Sequence, residues 1–187
     1  MRPEYLFYLL VFPGLLFTGT VGLVVGWVDR KVSARFQFRV GPPFLQNFND
    51  FFKLLGKETM ITKEAVASLF ISAPFIAFSM VVLVSAMIGT AMFFNISFGG
   101  DILVVMYLLM LYSVMVILGG ASTGNVYSSI GAGREIKLLL ADELAFIFVC
   151  LVPIVKSGYI LRLDGLLAFQ AENGAFISSA SGIIAFI

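Results

Sequence analysis

The chain has 187 residues, of which 60% are hydrophobic and 12% charged, and its mean hydropathy is +1.02. This composition leaves too little polar surface to coat a soluble globule and indicates an integral membrane protein, while a net charge of +1 provides no basic field for nucleic acid. The chain has no histidine and one cysteine, Cys150, which excludes a disulfide framework, haem ligation by histidine and a cysteine-ligated cluster within it.

Several apolar runs are long enough to cross a membrane. A hydrocarbon core of about 30 Å takes about 20 helical residues, and its interior admits only helices or closed barrels. The alternation of apolar and polar residues that is typical of barrel strands is missing. We therefore predict an all-α fold, a polytopic transmembrane helix bundle with a cytoplasmic amphipathic helix, forming a single membrane domain over residues 1–187. The predicted helices cover residues 5–28, with a kink at Pro13 and Gly14, and residues 65–94, 102–118 and 132–155.

A patterned basic segment follows the first apolar run and opens the connector of residues 29–64. In an extended segment, its guanidinium groups would lie on one face and its rings on the other. Arginine forks suit carboxylates or carbonyls of a docked protein, and the alternative is binding of lipid phosphates. The alternating residues are Arg35, Gln37 and Arg39 against Phe36 and Phe38, followed by a turn at Gly41, Pro42 and Pro43.

An amphipathic helix is predicted for residues 44–57. At 100° per residue its apolar side chains fall on one arc, and Gln46, Asn49, Asp50, Lys53 and Lys57 fall opposite. Such a helix either lies on the lipid headgroups or serves as a platform for a soluble partner. The pattern leaves both alternatives open.

The fourth predicted helix carries three carboxylates. Glu135 and Asp142 lie seven residues apart on one stripe, and Glu143 lies about 100° further round. If the helix enters the membrane near Arg134, Glu143 lies about 14 Å along its axis. Carboxylates at that depth face a protein interior or a water-filled path, and they are typical of proton relays. The alternative is that Asp142 and Glu143 pair with basic residues of neighbouring helices.

The last apolar segment, residues 175–187, is too short to span a bilayer. We interpret it as an incomplete helix, so that the chain is a fragment or a separately encoded second chain completes the bundle. No nucleophile with its base, phosphate loop or metal-ligand spacing occurs, so no catalytic, cofactor-binding or metal site is predicted in this chain.

Basic residues indicate the orientation. They concentrate in the connector 29–64 and around Arg134 and Lys137, and are absent from the connector 95–101. By the positive-inside rule, the first and third connectors are cytoplasmic and the N-terminus lies outside. Lys156 and Arg162 in the following external loop weaken this assignment slightly, although acidic residues accompany them.

The basic segment, the amphipathic helix and the acidic helix together resemble the family of the H subunit of respiratory NADH:quinone oxidoreductase. The resemblance covers essentially the whole chain and about the first half of the family's length. Two departures occur: Asn47 replaces a proline, and Ala141 with Asp142 replaces a serine and a tyrosine before the embedded glutamate. The matching residues are Asp29, Arg30, Lys31, Gln37, Arg39, Gly41, Pro42, Leu45, Gln46, Asp50, Lys53, Leu54, Lys57, Glu58, Gly131, Ala132, Arg134 and Glu143.

The resemblance implies a membrane anchor and coupling subunit of an oxidoreductase complex, with no independent activity. It would dock a soluble electron-transfer arm and link redox chemistry to proton or sodium translocation in the cytoplasmic membrane. The implied docking and coupling residues are Arg35, Gln37, Arg39, Asp50, Lys53, Glu58 and Arg134, and the implied proton relay comprises Glu143, Asp142 and Glu135.

The stretch GPPFLQ is shorter than in the quinone enzymes and is more similar to the homologous membrane protein of nickel-iron hydrogenases and sulfur-reducing complexes. This branch of membrane-bound enzymes implies as partners a hydrogenase-like large subunit, an iron-sulfur subunit and antiporter-like membrane subunits. Iron-sulfur clusters and a nickel-iron centre would belong to those partners. The alternatives are a quinone-binding subunit of NADH:quinone oxidoreductase, a transporter or channel module, and a purely structural scaffold.

Overall fold

The computed structural model describes residues 3–58 and 60–186. Eight α-helices occur in this part of the chain: α1 (Pro3–Leu10), α2 (Leu15–Phe36), α3 (Gln46–Leu55), α4 (Ala67–Phe94), α5 (Asp101–Ala121), α6 (Val126–Lys156), α7 (Leu163–Asn173) and α8 (Ala180–Phe186), with a 3₁₀ turn at Phe176–Ser178. They form two compact units, α1–α3 and α4–α8. The all-α prediction is confirmed.

Four segments are long and apolar enough to cross a membrane within the described residues, namely Phe7–Phe36, Ala67–Phe94, Asp101–Ala121 and Val126–Lys156. The predicted spans beginning at residues 65 and 102 match α4 and α5 closely. The first segment contains a break rather than one helix, because Pro13 cannot continue the ladder and Gly14 lies against the Leu9 carbonyl, where a Cβ would collide. The protein is a multi-pass membrane protein.

The polar end of α2 corrects the prediction of an extended segment over residues 33–39. The helix continues to Phe36 because Lys31, Ala34 and Arg35 are good helix formers. It then ends in a Schellman turn, in which the Arg39 N–H donates to the Ala34 carbonyl at 2.8 Å. Phe38 adopts φ 56°, a conformation that costs a non-glycine residue about 1–2 kcal/mol.

Two side-chain hydrogen bonds attach α3 and the turn before it to α2. Asn47 Nδ2 donates to the Leu23 carbonyl at 2.9 Å, and Trp27 Nε1 donates to the Pro42 carbonyl at 3.2 Å. The Trp27 and Phe44 rings meet edge to face at 5.1 Å. The amphipathic helix is confirmed with bounds of Gln46–Leu55, and these contacts hold it beside α2.

Small residues set the packing of the second unit. Helix α4 packs along α5, and a Cβ on Gly119 of α5 would lie 3.3 Å from the Ala73 Cβ; Ala77 and Ala91 of α4 are buried as well. Close approach of backbones through alanine and glycine is the usual way in which membrane helices associate, because lipid gives no hydrophobic drive between them.

Helix α6 begins at Val126, earlier than the predicted residue 132, and most of the glycine-rich stretch 119–133 is therefore helical. Asn125 caps the helix by accepting a hydrogen bond from the Tyr127 N–H at 2.9 Å. Ser128 Oγ also donates to the Gly120 carbonyl at 2.6 Å. These contacts offset the low helix propensity of Gly131 and Gly133.

The loop 122–125 crosses the segment that leads into α4. The Val66 N–H donates to the Ser122 carbonyl, and Thr62 Oγ1 donates to the Thr123 carbonyl, both at 3.0 Å. Gly124 adopts φ 70° there, and a Cβ on it would lie 2.6 Å from the Glu64 carbonyl oxygen. These two hydrogen bonds hold the segment before α4 against the loop between α5 and α6.

The structure of the residues after α6 differs from two further predictions. The presumed external loop contains α7, and residues 175–186 form a 3₁₀ turn and a short helix rather than one continuous helix, while Ile187 lies outside the described residues. Leu166 of α7 packs with Ile102 and Ile154 in a buried cluster. Arg162 pairs with Asp164 at 2.7 Å, and this hydrogen bond lowers the pKa of the Asp164 carboxyl to about 2.

Candidate functional site: an acidic groove and a basic connector

The groove between α5 and α6 contains two of the three predicted relay carboxylates. Its volume is about 530 Å³, and Asp142 and Glu143 are its acidic lining residues. Glu143 is half-buried, whereas Asp142 is exposed in the chain alone. The remaining walls are mainly apolar, so a charge placed there is poorly solvated. The groove thus places two acidic side chains of α6 opposite α5 on a mainly apolar surface.

Two polar residues of α5 line the same groove. Tyr107 and Ser113 bring hydroxyl groups to a surface that is otherwise formed by leucine, methionine, phenylalanine and isoleucine side chains. Neither is among the predicted site residues, because a single serine or tyrosine in an apolar helix is a weak signal. Only the pairing of α5 with α6 brings them to the carboxylates.

Glu135 lies in a separate pocket of about 320 Å³ between the same two helices. It shares that pocket with Gly120, Ser128 and Gly131. Glu135 and Asp142 are seven residues apart, which corresponds to about 10 Å along the helix axis. The three carboxylates thus line the α5 side of α6 in two groups and do not form one cluster.

The predicted docking residues separate into smaller groups. Asp50 accepts a hydrogen bond from Gln46 at 3.0 Å and pairs with Arg30 at 3.5 Å, in a solvent-exposed arrangement that contributes little to stability. Lys53, in the last turn of α3, is exposed, as are Gln37 and Glu58. Arg134 is exposed on α6, in the other unit.

Arg35 and Arg39 line a pocket of about 330 Å³ together with Lys31. Lys31 is not among the predicted docking residues, although its spacing of four from Arg35 would have grouped the two on one helix face. Gln37 does not line this pocket. Within the described residues, no group of three histidine, cysteine or acidic side chains could hold a metal ion.

The family model described as NADH dehydrogenase matches residues 9–187. The H subunit of the NADH-quinone oxidoreductase of Thermomicrobium roseum is 39% identical over 154 residues, covering 74% of this chain and 45% of that protein. The chain belongs to the H-subunit family of NADH dehydrogenases. This confirms the family that the basic connector and the acidic helix indicated.

Two other proteins of this family are similar over more of the chain. The H subunit of Dehalococcoides mccartyi is 33% identical over 169 residues, covering 83% of this chain and 46% of its own length. The H subunit of Bacillus cytotoxicus is 31% identical over 183 residues, covering 92% of this chain and 55% of its own length. The chain thus spans about half the length of these relatives. All three are named for NADH-quinone oxidoreductase.

Proposed function

We propose that this chain is part of the membrane subunit of an NADH:quinone oxidoreductase-type complex and couples electron transfer in partner subunits to ion movement. In this proposal the chain has no redox centre of its own, and iron-sulfur clusters reside in the soluble partners. The observation that carries the proposal is a half-buried carboxylate, Glu143, within a 31-residue membrane helix and beside a second carboxylate in a mainly apolar groove.

Proton transfer is the role that this groove supports best. Glu143 lies 17 residues after the start of α6, or about 26 Å along its axis, and about 14 Å beyond Arg134, where the sequence predicts entry into the membrane. Water or hydroxyl groups must bridge such a distance. Asp142, Tyr107 and Ser113 supply polar atoms along the groove, and Glu135 supplies one nearer the start of α6. In the proposed relay, protons pass from Glu135 toward Asp142 and Glu143.

The test replaces Glu143 with glutamine in the assembled complex, in inverted membrane vesicles. Glutamine keeps the shape and the hydrogen-bonding capacity but cannot accept a proton. We expect NADH oxidation by quinone to continue at a reduced rate, while the pH gradient per electron falls by about tenfold or more. The matched control is Glu172→Gln on α7, an exposed acid outside the groove, which should leave both quantities unchanged. Full pumping by Glu143→Gln would refute the relay role.

The polar face of α3, together with Gln37 and Glu58, is the proposed docking surface for the soluble arm. Gln37, Lys53 and Glu58 are exposed there, and hydrogen bonds hold α3 beside α2, so the polar face of α3 is presented in a defined orientation. A Lys53→Glu substitution reverses one charge without touching the packing of α3. We expect it to lower the amount of iron-sulfur subunits that co-purify with the chain in mild detergent.

A hydrogenase-type complex is the second candidate, favoured by the short turn before α3. Gly41 lies against Lys31 and Ala34, and Pro42 accepts a hydrogen bond from Trp27, so the turn leads directly into α3. The names of the relatives favour the quinone type instead. Vesicles separate the two: a quinone-type complex generates a gradient with NADH and quinone, whereas a hydrogenase-type complex does so with a ferredoxin-level donor while releasing H₂.

We further propose that the first connector and the loop 122–125 are cytoplasmic and that the N-terminus lies outside. The support is the distribution of basic residues. The test uses Lys57→Cys and Glu172→Cys, each in a Cys150→Ser background, and an impermeant maleimide. We expect intact cells to label the cysteine at 172 only, and permeabilised cells to label both. The opposite pattern would reverse the orientation.

A further inference from the structure

The pocket at the end of α2 is built by a reversal of the backbone. After Phe38 the chain turns back on the helix, so that Gly41 comes to lie beside Lys31 and Ala34. A Cβ on Gly41 would lie 2.7 Å from Lys31 Cδ and 3.1 Å from Lys31 Cα, so the close approach depends on glycine. The reversal places Arg39 next to Lys31 and Arg35, and the three cations line one concavity of about 330 Å³.

These three cations have no acidic partner among the described residues. The described ion pairs involve Arg30 with Asp50 and Arg162 with Asp164. The carboxylate of the neighbouring α3 is therefore already engaged by a different arginine. Three positive groups around one pocket repel one another, and an anion with several acceptor oxygens relieves this repulsion. A phosphate group offers such oxygens to two guanidinium forks and an ammonium.

The position of the pocket relative to the membrane indicates the source of that phosphate. Trp27, a residue type that concentrates at membrane interfaces, lies four residues before Lys31, about 6 Å along the helix axis. Two side chains that line the pocket are apolar and fully exposed: Phe38 is 100% and Val40 99% exposed. Cations at headgroup level beside exposed apolar side chains match an anionic phospholipid, which offers a phosphate to the cations and apolar groups to the neighbouring side chains.

We propose that Lys31, Arg35 and Arg39 bind the phosphate of an anionic lipid headgroup, and that Phe38 and Val40, which line the same pocket, contact apolar groups of that lipid. Bound lipid would hold the start of the first connector at the membrane surface. The polar face of α3 would then remain free for a soluble partner.

The test uses the full chain reconstituted into vesicles, and its single tryptophan as the probe. Brominated acyl chains quench tryptophan fluorescence on contact, so quenching by brominated phosphatidylglycerol and phosphatidylcholine gives the relative affinity at Trp27. We expect phosphatidylglycerol to be preferred by on the order of a hundredfold, since each of the three basic residues contributes about fivefold near an anionic surface. The Arg35→Gln/Arg39→Gln double variant keeps only Lys31 and should lower the ratio to about fivefold.

The matched control is Lys53→Gln/Lys57→Gln, which removes two charges from the same connector away from the pocket and should keep the preference. If the control loses it equally, general surface attraction explains the result and the pocket proposal is wrong. Gly41→Ala retains every charge while crowding Lys31, and we expect a lower ratio for it as well. Circular dichroism of each variant checks that it folds.

Two further outcomes would overturn the proposal. If inorganic phosphate abolishes the preference and chloride at equal ionic strength does not, the pocket binds free phosphate rather than lipid. If the unsubstituted chain shows no preference, the pocket does not bind an anionic lipid. Because no partner subunit takes part in this experiment, a failure here leaves the coupling proposal untouched.

Discussion

Replacing Gly124 with alanine should destabilise the second unit through the crossing of two connectors. Gly124 has φ 70°, and an added Cβ would lie 2.6 Å from the Glu64 carbonyl oxygen and 2.9 Å from its carbon. Both atoms are backbone, so the segment 62–66 must move away. Alanine is thus disfavoured by its conformation and by a collision that no side-chain rotation relieves.

The expected loss of unfolding free energy is about 2–5 kcal/mol. The left-handed conformation costs alanine about 1–2 kcal/mol. Movement of the segment also weakens the hydrogen bonds of Val66 N–H to the Ser122 carbonyl and of Thr62 Oγ1 to the Thr123 carbonyl, each contributing about 0.5–1.5 kcal/mol.

The assay is unfolding in mixed micelles titrated with sodium dodecyl sulfate and followed by far-ultraviolet circular dichroism. The matched control is Gly133→Ala, because Gly133 lies within α6 and a Cβ added to it would meet nothing within 4 Å. The control should stabilise the helix by about 0.5–1 kcal/mol. Gly124→Asn separates the two causes, since asparagine tolerates the left-handed conformation but still carries the colliding atom. A Gly124→Ala variant as stable as the control would refute the reasoning.

Two other predictions concern single hydrogen-bonded side chains. Asn47→Ala removes the bond to the Leu23 carbonyl; because the buried Asn47 Oδ1 has no partner in the described chain, the net loss should be only about 0.5–1 kcal/mol. Amide hydrogen exchange in α3 should nevertheless become faster in this variant. The control Asn49→Ala, at an exposed position, should leave the exchange rate unchanged. Equal exchange rates in both variants would contradict the view that Asn47 attaches α3 to α2. Asp164 has a pKa of about 2, below its ordinary value of 3.8, so its contribution to stability is complete above about pH 4 and disappears as the pH falls toward 2. At about pH 7, the unfolding free energy of the Asp164→Asn variant should therefore be lower than that of the unsubstituted chain, by a small amount because the ion pair is exposed. Near pH 2 the two free energies should become similar. A constant difference between about pH 2 and about pH 7 would exclude this effect of the Asp164 pKa.

The membrane spans are predictable because about 20 apolar residues have one stable arrangement in lipid. The wrong predictions lie where local signals compete. The predicted start of α6 is too late because Gly131 and Gly133 are typical of a loop, although Asn125 and Ser128 stabilise the helix there. The prediction of an extended segment is wrong because alternation of arginine and phenylalanine is compatible with a helix that ends in a turn.

The candidate site is predictable only in part. That Glu135, Asp142 and Glu143 lie in a membrane helix follows from their positions in an apolar run. That two of them share a groove with Tyr107 and Ser113 follows from the packing of α5 on α6. The roles assigned to these residues stay predictions until the substitutions are measured.

The sequence by itself determined the helical class, the spans, the family and the presence of carboxylates in an apolar helix. These properties depend on composition and spacing along one segment, because the hydropathy of a span is the sum over its own residues. The tertiary structure alone decided that Lys31 joins Arg35 and Arg39 around one pocket and that α5 supplies the second wall of the acidic groove. Such groupings depend on backbone reversals and on which helix faces pack together. Both the basic pocket and the acidic groove depend on contacts between residues of different segments, so the sequence of one segment does not predict them.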